Sequence, residues 1–163
     1  MPDKPKAVPE GAHTLTAHLS VRDGSGAIEF YQRAFGAKVN GVHRTPDGKV
    51  MHAALKIGNS DFMLADEFPG SPIRSPQSLG GTSVVLNIYV DDVDKLWDQA
   101  VKAGAKITMP LANQFWGDRY GHLADPYGHT WALMSHVEDV APDEMERRAK
   151  AAFAEMGKKQ AAT

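Results

Sequence analysis

Seven histidines and no cysteine define the reactive side chains of this 163-residue sequence. Imidazole titrates near neutrality, so a histidine facing a cavity can serve as acid, base or metal ligand. His18, in LTAHLSVRD, alternates with apolar neighbours and is therefore turned to one face of a strand. It is the candidate catalytic residue, as a general base, a hydrogen-bonder to substrate or a metal ligand. The plainer reading is a half-buried histidine that fills space and makes one hydrogen bond. His52 in VMHAAL and His122 in RYGHLAD fall in comparable later strands. With His18 they could form a three-histidine site for a divalent metal. His13, His43 and His136 fall near strand ends or turns, where solvation is expected, and His129 belongs to a hairpin.

The richest polar-aromatic stretch is QFWGDRYG, from Gln114 to Gly121. Trp116 and Tyr120 offer flat amphipathic surfaces to a ligand, and the planar fork of Arg119 suits a carboxylate or phosphate. Asp118 is expected to neutralise Arg119. Alternatively, the same stretch is a glycine-softened bend whose aromatics pack beneath a helix. Asn87 and Tyr89 alternate with Val85 and join the predicted cavity wall. Trp131 has the opposite parity to Ala132 and is expected in the core against a helix.

The elements that must position these residues occur twice. VRDGSGAIEFYQRAFGAKV lines up with VDDVDKLWDQAVKAGAKI: a strand ends in Asp23 or Asp92, an amphipathic segment follows, and Gly-Ala-Lys precedes a β-branched residue. Ala37 and Ala105 are 68 positions apart, and Leu64 and Leu133 are 69 apart. Short carboxylates suit helix N-caps, so Asp23 and Asp92 predict two helix starts. Gly36 and Gly104 predict the stops, because glycine adopts the left-handed conformation at low cost. Two further strands complete each copy, joined around Asn59 and Ser60 in the first and by Pro-Tyr-Gly in the second.

The organisation predicted is therefore a disordered segment over residues 1–12 and a β-α-β-β-β module over 13–66. An exposed Pro, Ser and Gly-rich linker follows over 67–81, then a second module over 82–136 and a helical tail over 137–163. Met145, Ala149, Ala152, Phe153 and Met156 form one apolar stripe on that tail, expected to pack in the core or an interface rather than lie on a membrane. A net charge of −2 gives no reason to expect nucleic acid. No apolar run is long enough to span a membrane, and the polar, proline-rich start is unlike a signal peptide. The expectation is a cytoplasmic protein. Without cysteine there are no disulfides, thiolate nucleophiles or Cys-ligated metals.

Paired β-α-β-β-β units with V-x-D, G-A-K and D-P-x-G in these places resemble the vicinal oxygen chelate superfamily of glyoxalases, bleomycin-resistance proteins and extradiol dioxygenases. Within it, AIEFYQRAFGA and QFWGDRYGHLADPYGHTWAL look most like the glyoxalase-like branch often labelled PhnB-like. The resemblance spans residues 14–136 and implies an α+β fold of paired curved mixed sheets around a cavity. In metal-using members, a His or similar residue on the first strand and a Glu on the last strand of each unit hold a divalent ion. The corresponding positions here are Thr16, Met63, Val85 and Ala132. Thr, Met, Val and Ala do not make a ligand set for zinc, nickel or iron. The expectation is a metal-free binder of a small organic ligand, its cavity lined by His18, His52, Asn87, Tyr89, Trp116, Arg119, Tyr120 and His122. No cofactor is expected, apart from the three-histidine alternative. The other readings are a lyase or isomerase using an unconventional histidine metal or acid–base chemistry at His18, and a structural or regulatory dimer. A homodimer is implied by the resemblance.

Overall fold

Alternating burial along the strands sets one face of each sheet against a helix. The computed structural model describes residues 5–161. The chain runs β1 (Ala17–Val21), α1 (Gly24–Phe35), β2 (Lys38–Arg44), β3 (Val50–Ile57), β4 (Ser60–Asp66) and a short α2 (Pro76–Leu79). The pattern then recurs as β5 (Val85–Tyr89), α3 (Val93–Ala103), β6 (Lys106–Asn113), β7 (Asp118–Ala124) and β8 (Thr130–His136), followed by α4 (Pro142–Ala161). Two compact units divide between Gly81 and Thr82. Each holds a four-stranded mixed sheet, ordered β1-β4-β3-β2 in one and β5-β8-β7-β6 in the other. The first and last strands of each unit pair in parallel, and the remaining pairs are antiparallel. The α+β class and the doubled β-α-β-β-β order agree with the sequence reading.

Both helices start and stop on the predicted residues. Asp23 Oδ1 accepts from the Gly26 amide at 2.9 Å, and Asp92 Oδ1 accepts from Lys95 at 3.0 Å. Gly36 (φ 66°) and Gly104 (φ 116°) take the left-handed conformation at the C-termini. A second tie joins each last strand to its helix. Asp66 accepts from the Gly24 and Val50 amides at 2.8 and 2.6 Å. At the equivalent place, Ser135 Oγ accepts from the Val93 amide at 3.0 Å and donates to the Val90 carbonyl at 2.5 Å. Different residue types thus satisfy the same exposed helix-start amides.

In the first unit Ala27, Phe30, Tyr31 and Ala34 of α1 are buried, as are Leu19, Leu55 and Leu64 of the sheet. In the second unit Val93, Trp97 and Ala100 are buried, with Leu123, Trp131 and Leu133. Trp131 is in the core as its parity predicts, and its indole N–H donates to Asp125 at 2.8 Å. Burial therefore leaves the opposite face of each sheet, with its intervening residues, away from the helix.

Three expectations are corrected or refined. Thr16 lies just before β1 rather than on it. The segment 67–81 is largely exposed, as expected, but it is anchored by Ser75 and Pro76, which are buried. Glu67 Oε2 accepts from the Ser75 and Ser78 hydroxyls, both at 2.6 Å, which folds the segment back on itself. Of the core or interface packing expected for the stripe on α4, the core alternative is excluded for its C-terminal part. Met145, Ala149 and Ala152 are half-buried, but Phe153 and Met156 are 63% and 48% exposed. The helix is held by Arg148, which donates to Glu138 at 2.8 and 2.7 Å and to Glu144 at 2.7 Å. At the other end, residues 5–12 form neither helix nor strand and contain a turn from Ala12 to Pro9, while residues 1–4 of the predicted disordered segment lie outside the described residues. No helix among the described residues is long and apolar enough to cross a membrane.

Candidate functional site

Strand alternation brings Trp116, Asp118, Tyr120 and His122 into one parity, the three from Asp118 on lying along β7. Register then adds Asn87, Tyr89, Ala132, Met134 and His136. Across the sheet, Asn87 pairs with Ala132 and Ala132 with His122; Tyr89 pairs with Met134 and Met134 with Tyr120. Asp118 pairs with His136 at the sheet end. All stand on the face opposite α3, because Gly121, of the other parity, lies under the Trp97 ring. A Cβ on Gly121 would stand 2.7 Å from that ring.

The organising group is Asp118, only 5% exposed. Its Oδ2 accepts from the Tyr89 hydroxyl at 2.8 Å and from the Trp116 indole N–H at 3.0 Å. Its Oδ1 is 2.8 Å from His136 Nδ1, and the other ring nitrogen, Nε2, is 2.8 Å from Asp139. Burial alone would push the Asp118 carboxyl up. The hydrogen bonds from His136, Tyr89 and Trp116 overcome that effect, and the group sits below the ordinary aspartate range. His136 moves the other way, held above the usual histidine value by its hydrogen bonds to Asp118 and Asp139. Two carboxylates on its two nitrogens favour the imidazolium, in which both nitrogens donate. Tyr89 is held in its protonated form chiefly by its hydrogen bond to Asp118.

Beside this network, Tyr120 Oη is 2.6 Å from His122 Nε2. Trp116 and Tyr120 meet edge to face with centroids 5.4 Å apart, and Tyr120 and His122 are 5.0 Å apart. The result is a surface of flat rings whose polar edges are already oriented. Such a surface can bind a flat, partly polar molecule, and a phenol–imidazole pair can also relay a proton.

Arg119 does not join this surface. Its opposite parity points it towards α3, where Nε and Nη2 form a two-point bond to Asp94 at 2.8 and 2.7 Å. The expectation that Arg119 holds a ligand, with Asp118 as its counter-ion, is corrected on both counts. His136 is exposed at the end of β8, as expected, and it also bridges Asp118 and Asp139. The alternation of Asp118, Tyr120 and His122 was the available signal for this network.

In the first unit, His18 pairs with Met63, and Met63 with Ala54, on the face opposite α1. His52 has the parity of Ala54, and its ring centroid is 6.2 Å from that of His18. His43 pairs with His52, at 6.4 Å between rings. Partial desolvation, and then the neighbouring His52, hold His18 below its ordinary pKa, so its ring is neutral at pH 7. Among the described residues no three His, Asp or Glu side chains are grouped to hold a metal ion. Of the three-histidine alternative, His18 and His52 are neighbours, while His122 Nε2 is engaged by Tyr120.

The family model for the Glyoxalase/Bleomycin resistance protein/Dioxygenase superfamily matches residues 12–133. The chain belongs to this superfamily. An uncharacterised Mycobacterium bovis protein, Mb0911c, is 45% identical over 135 residues, covering 81% of this chain and 89% of its own. The solved structure of TioX from Micromonospora sp. ML1 is 27% identical with a TM-score of 0.63, covering 77% of this chain and all (100%) of that one. A PhnB protein from Bacillus cereus, described as a putative 3-demethylubiquinone-9 3-methyltransferase, is 21% identical with a TM-score of 0.60; the match covers 76% of this chain and 99% of that one and speaks for the fold alone.

The divalent ion used by metal-dependent members does not fit the side chains here. Met63 offers a thioether, Val85 and Ala132 offer nothing, and Thr16 has a neutral hydroxyl. Ala132 is fully buried (0% exposed) between Asn87 and His122 in the register. No step of the chemistry is therefore assigned to a metal at these positions.

Proposed function

We propose that the protein binds a small organic molecule on the polar-aromatic face of β5-β8-β7-β6, without a metal at the positions the superfamily uses. The observation that carries this reading is the row Asn87, Ala132, His122, in which a methyl group stands where metal-using relatives place a carboxylate. What surrounds that methyl is suited to a ligand: Tyr120 is hydrogen-bonded to His122, and Trp116 is fixed by Asp118. A flat ligand would lie on Trp116 and Tyr120 and exchange hydrogen bonds with Asn87 and His122. Rings already ordered by neighbours lose less conformational freedom on binding.

The test combines two measurements on protein purified without chelator. Elemental analysis is expected to find no stoichiometric divalent metal. A fluorine-detected fragment screen is expected to yield aromatic binders whose signals are released in Asn87→Trp and weakened in Trp116→Ala. Binders whose affinity is unchanged in both Asn87→Trp and Trp116→Ala would sink the proposal.

A second reading, acid–base catalysis of the lyase or isomerase type, is favoured by the 2.6 Å contact between Tyr120 and His122 and by the neutral state of His18. It requires turnover that falls in Tyr120→Phe or His18→Gln while ligand affinity persists.

A further inference from the structure

Within the first unit, the segment after β4 folds back to enclose an open pocket of about 430 Å³. Its wall carries Arg22, Lys49 and Arg74 against a single carboxylate, Glu67. That carboxylate is already occupied. It accepts from the Ser75 and Ser78 hydroxyls at 2.6 Å each and from the Ser75 amide at 3.2 Å, and these bonds hold its pKa down to about 2. Arg74 Nε forms an ion pair with Glu67 Oε1 at 3.7 Å, too long for a hydrogen bond, so its N–H donors are not spent on the carboxylate.

Ser78 pins both guanidinium groups without neutralising either. Arg22 donates Nε and Nη2 to Ser78 Oγ at 3.3 and 3.0 Å, and Arg74 Nη2 donates to the Ser78 carbonyl at 3.0 Å. A guanidinium carries five N–H donors, so each arginine keeps donors for a ligand in a fixed orientation. Lys49 makes no ion pair among the described residues, although its charge reaches Asp47. Its ammonium stands 5.8 Å from the centre of the Phe68 ring, which also lines the pocket. The chain as a whole has a net charge of −2, so this positive concavity is a local feature. Three cations gathered in one hollow suit a compact dianion better than an extended polyanion, which needs a basic stripe.

We propose that this pocket binds a small phosphate-bearing molecule, its phosphate held by Arg22 and Arg74 with Lys49 as the third charge, and its organic part against Phe68. The volume falls in the range of small-molecule sites, about 300–1,000 Å³, and exceeds what a phosphate group alone would fill. The site shares no residue with the second unit's polar-aromatic face, so either proposal can fail without the other.

Titration with phenyl phosphate, followed by NMR of backbone amides and arginine Nε–H groups, tests the proposal. Saturable shifts are expected at Arg22, Gly70, Ser71 and Arg74, weaker with inorganic phosphate and absent with benzyl alcohol. Losing a charge-assisted contact in Arg74→Ala or Lys49→Ala should weaken phenyl phosphate roughly tenfold or more. Arg74→Lys should retain part of the affinity. None of these variants touches the core, and a spectrum unchanged away from the pocket and the substituted residue establishes that the fold is intact. The proposal is overturned by shifts scattered over exposed lysines, by inorganic phosphate binding as tightly as phenyl phosphate, or by unchanged affinity in both alanine variants.

Discussion

Asp118 is nearly buried yet carries its charge, because three donors converge on two oxygens. Truncation in Asp118→Ala leaves the Tyr89 hydroxyl and the Trp116 N–H without their acceptor. That change is expected to destabilise the protein by about 1–3 kcal/mol, measured by urea unfolding. The pH dependence of stability follows from the two opposed shifts. His136 is raised above its ordinary value of 6.5 in the folded state. Its contribution is therefore complete below 6.5 and is lost as pH rises through the raised folded value. Asp118 is lowered from 3.8, so its contribution is present above 3.8 and is lost as pH falls through the depressed folded value. Unfolding at a series of pH values should show a decline on the alkaline side of 6.5, and His136→Gln should flatten it. The strand parity of Asp118, Tyr120 and His122 was legible in the residues. The partner of Arg119 was not, because Asp94 is 25 positions away on α3 and only packing brings them together. Sequence proximity made Asp118 look like its counter-ion, whereas neighbours on a strand point to opposite faces.

At the scale of elements, two glycines mark close approaches that no pattern of hydrophobicity reveals. Gly121 lies beneath the Trp97 indole, and an added methyl would collide with the ring at 2.7 Å. Gly121→Ala should therefore push α3 away from β7, costing about 1–3 kcal/mol and altering the near-ultraviolet signal of Trp97. Gly117 combines a φ of 100° with a Cβ position overlapping the Glu138 carbonyl oxygen. Its own carbonyl accepts from the Val137 and Glu138 amides at 2.9 and 3.0 Å, which fixes how the chain leaves β8. Gly117→Ala is expected to be the more damaging of the two, with faster amide exchange at Val137 and Glu138 as its signature. Caps and stops were readable because each depends on residues close in sequence, such as Asp23 with Gly26. The folding of 67–81 was not, since proline and serine content marks a turn without saying that Glu67 will gather Ser75 and Ser78.

For the whole molecule, duplication separates what the fold requires from what each unit does with it. Asp66 and Ser135 occupy equivalent places and tie equivalent helix starts, so the scaffold tolerates a change of residue if the hydrogen bonds remain. The faces away from the helices have diverged instead: histidines on the first sheet, and a network of Asp, Tyr, Trp and His on the second. Function is therefore better sought in that asymmetry than in the shared framework. The homodimer implied by the family resemblance is a proposal of the same scale, and exposed Phe153 and Met156 on α4 give it a physical motive. Sedimentation equilibrium is expected to return about twice the 17.7 kDa chain mass. Phe153→Glu, which leaves the buried residues of both sheets untouched, should shift the distribution towards monomer. A monomer at every concentration would remove the reading of the protein as a structural or regulatory dimer. It would leave the ligand-binding reading standing, because Asn87, Tyr120 and His122 all come from one unit of one chain.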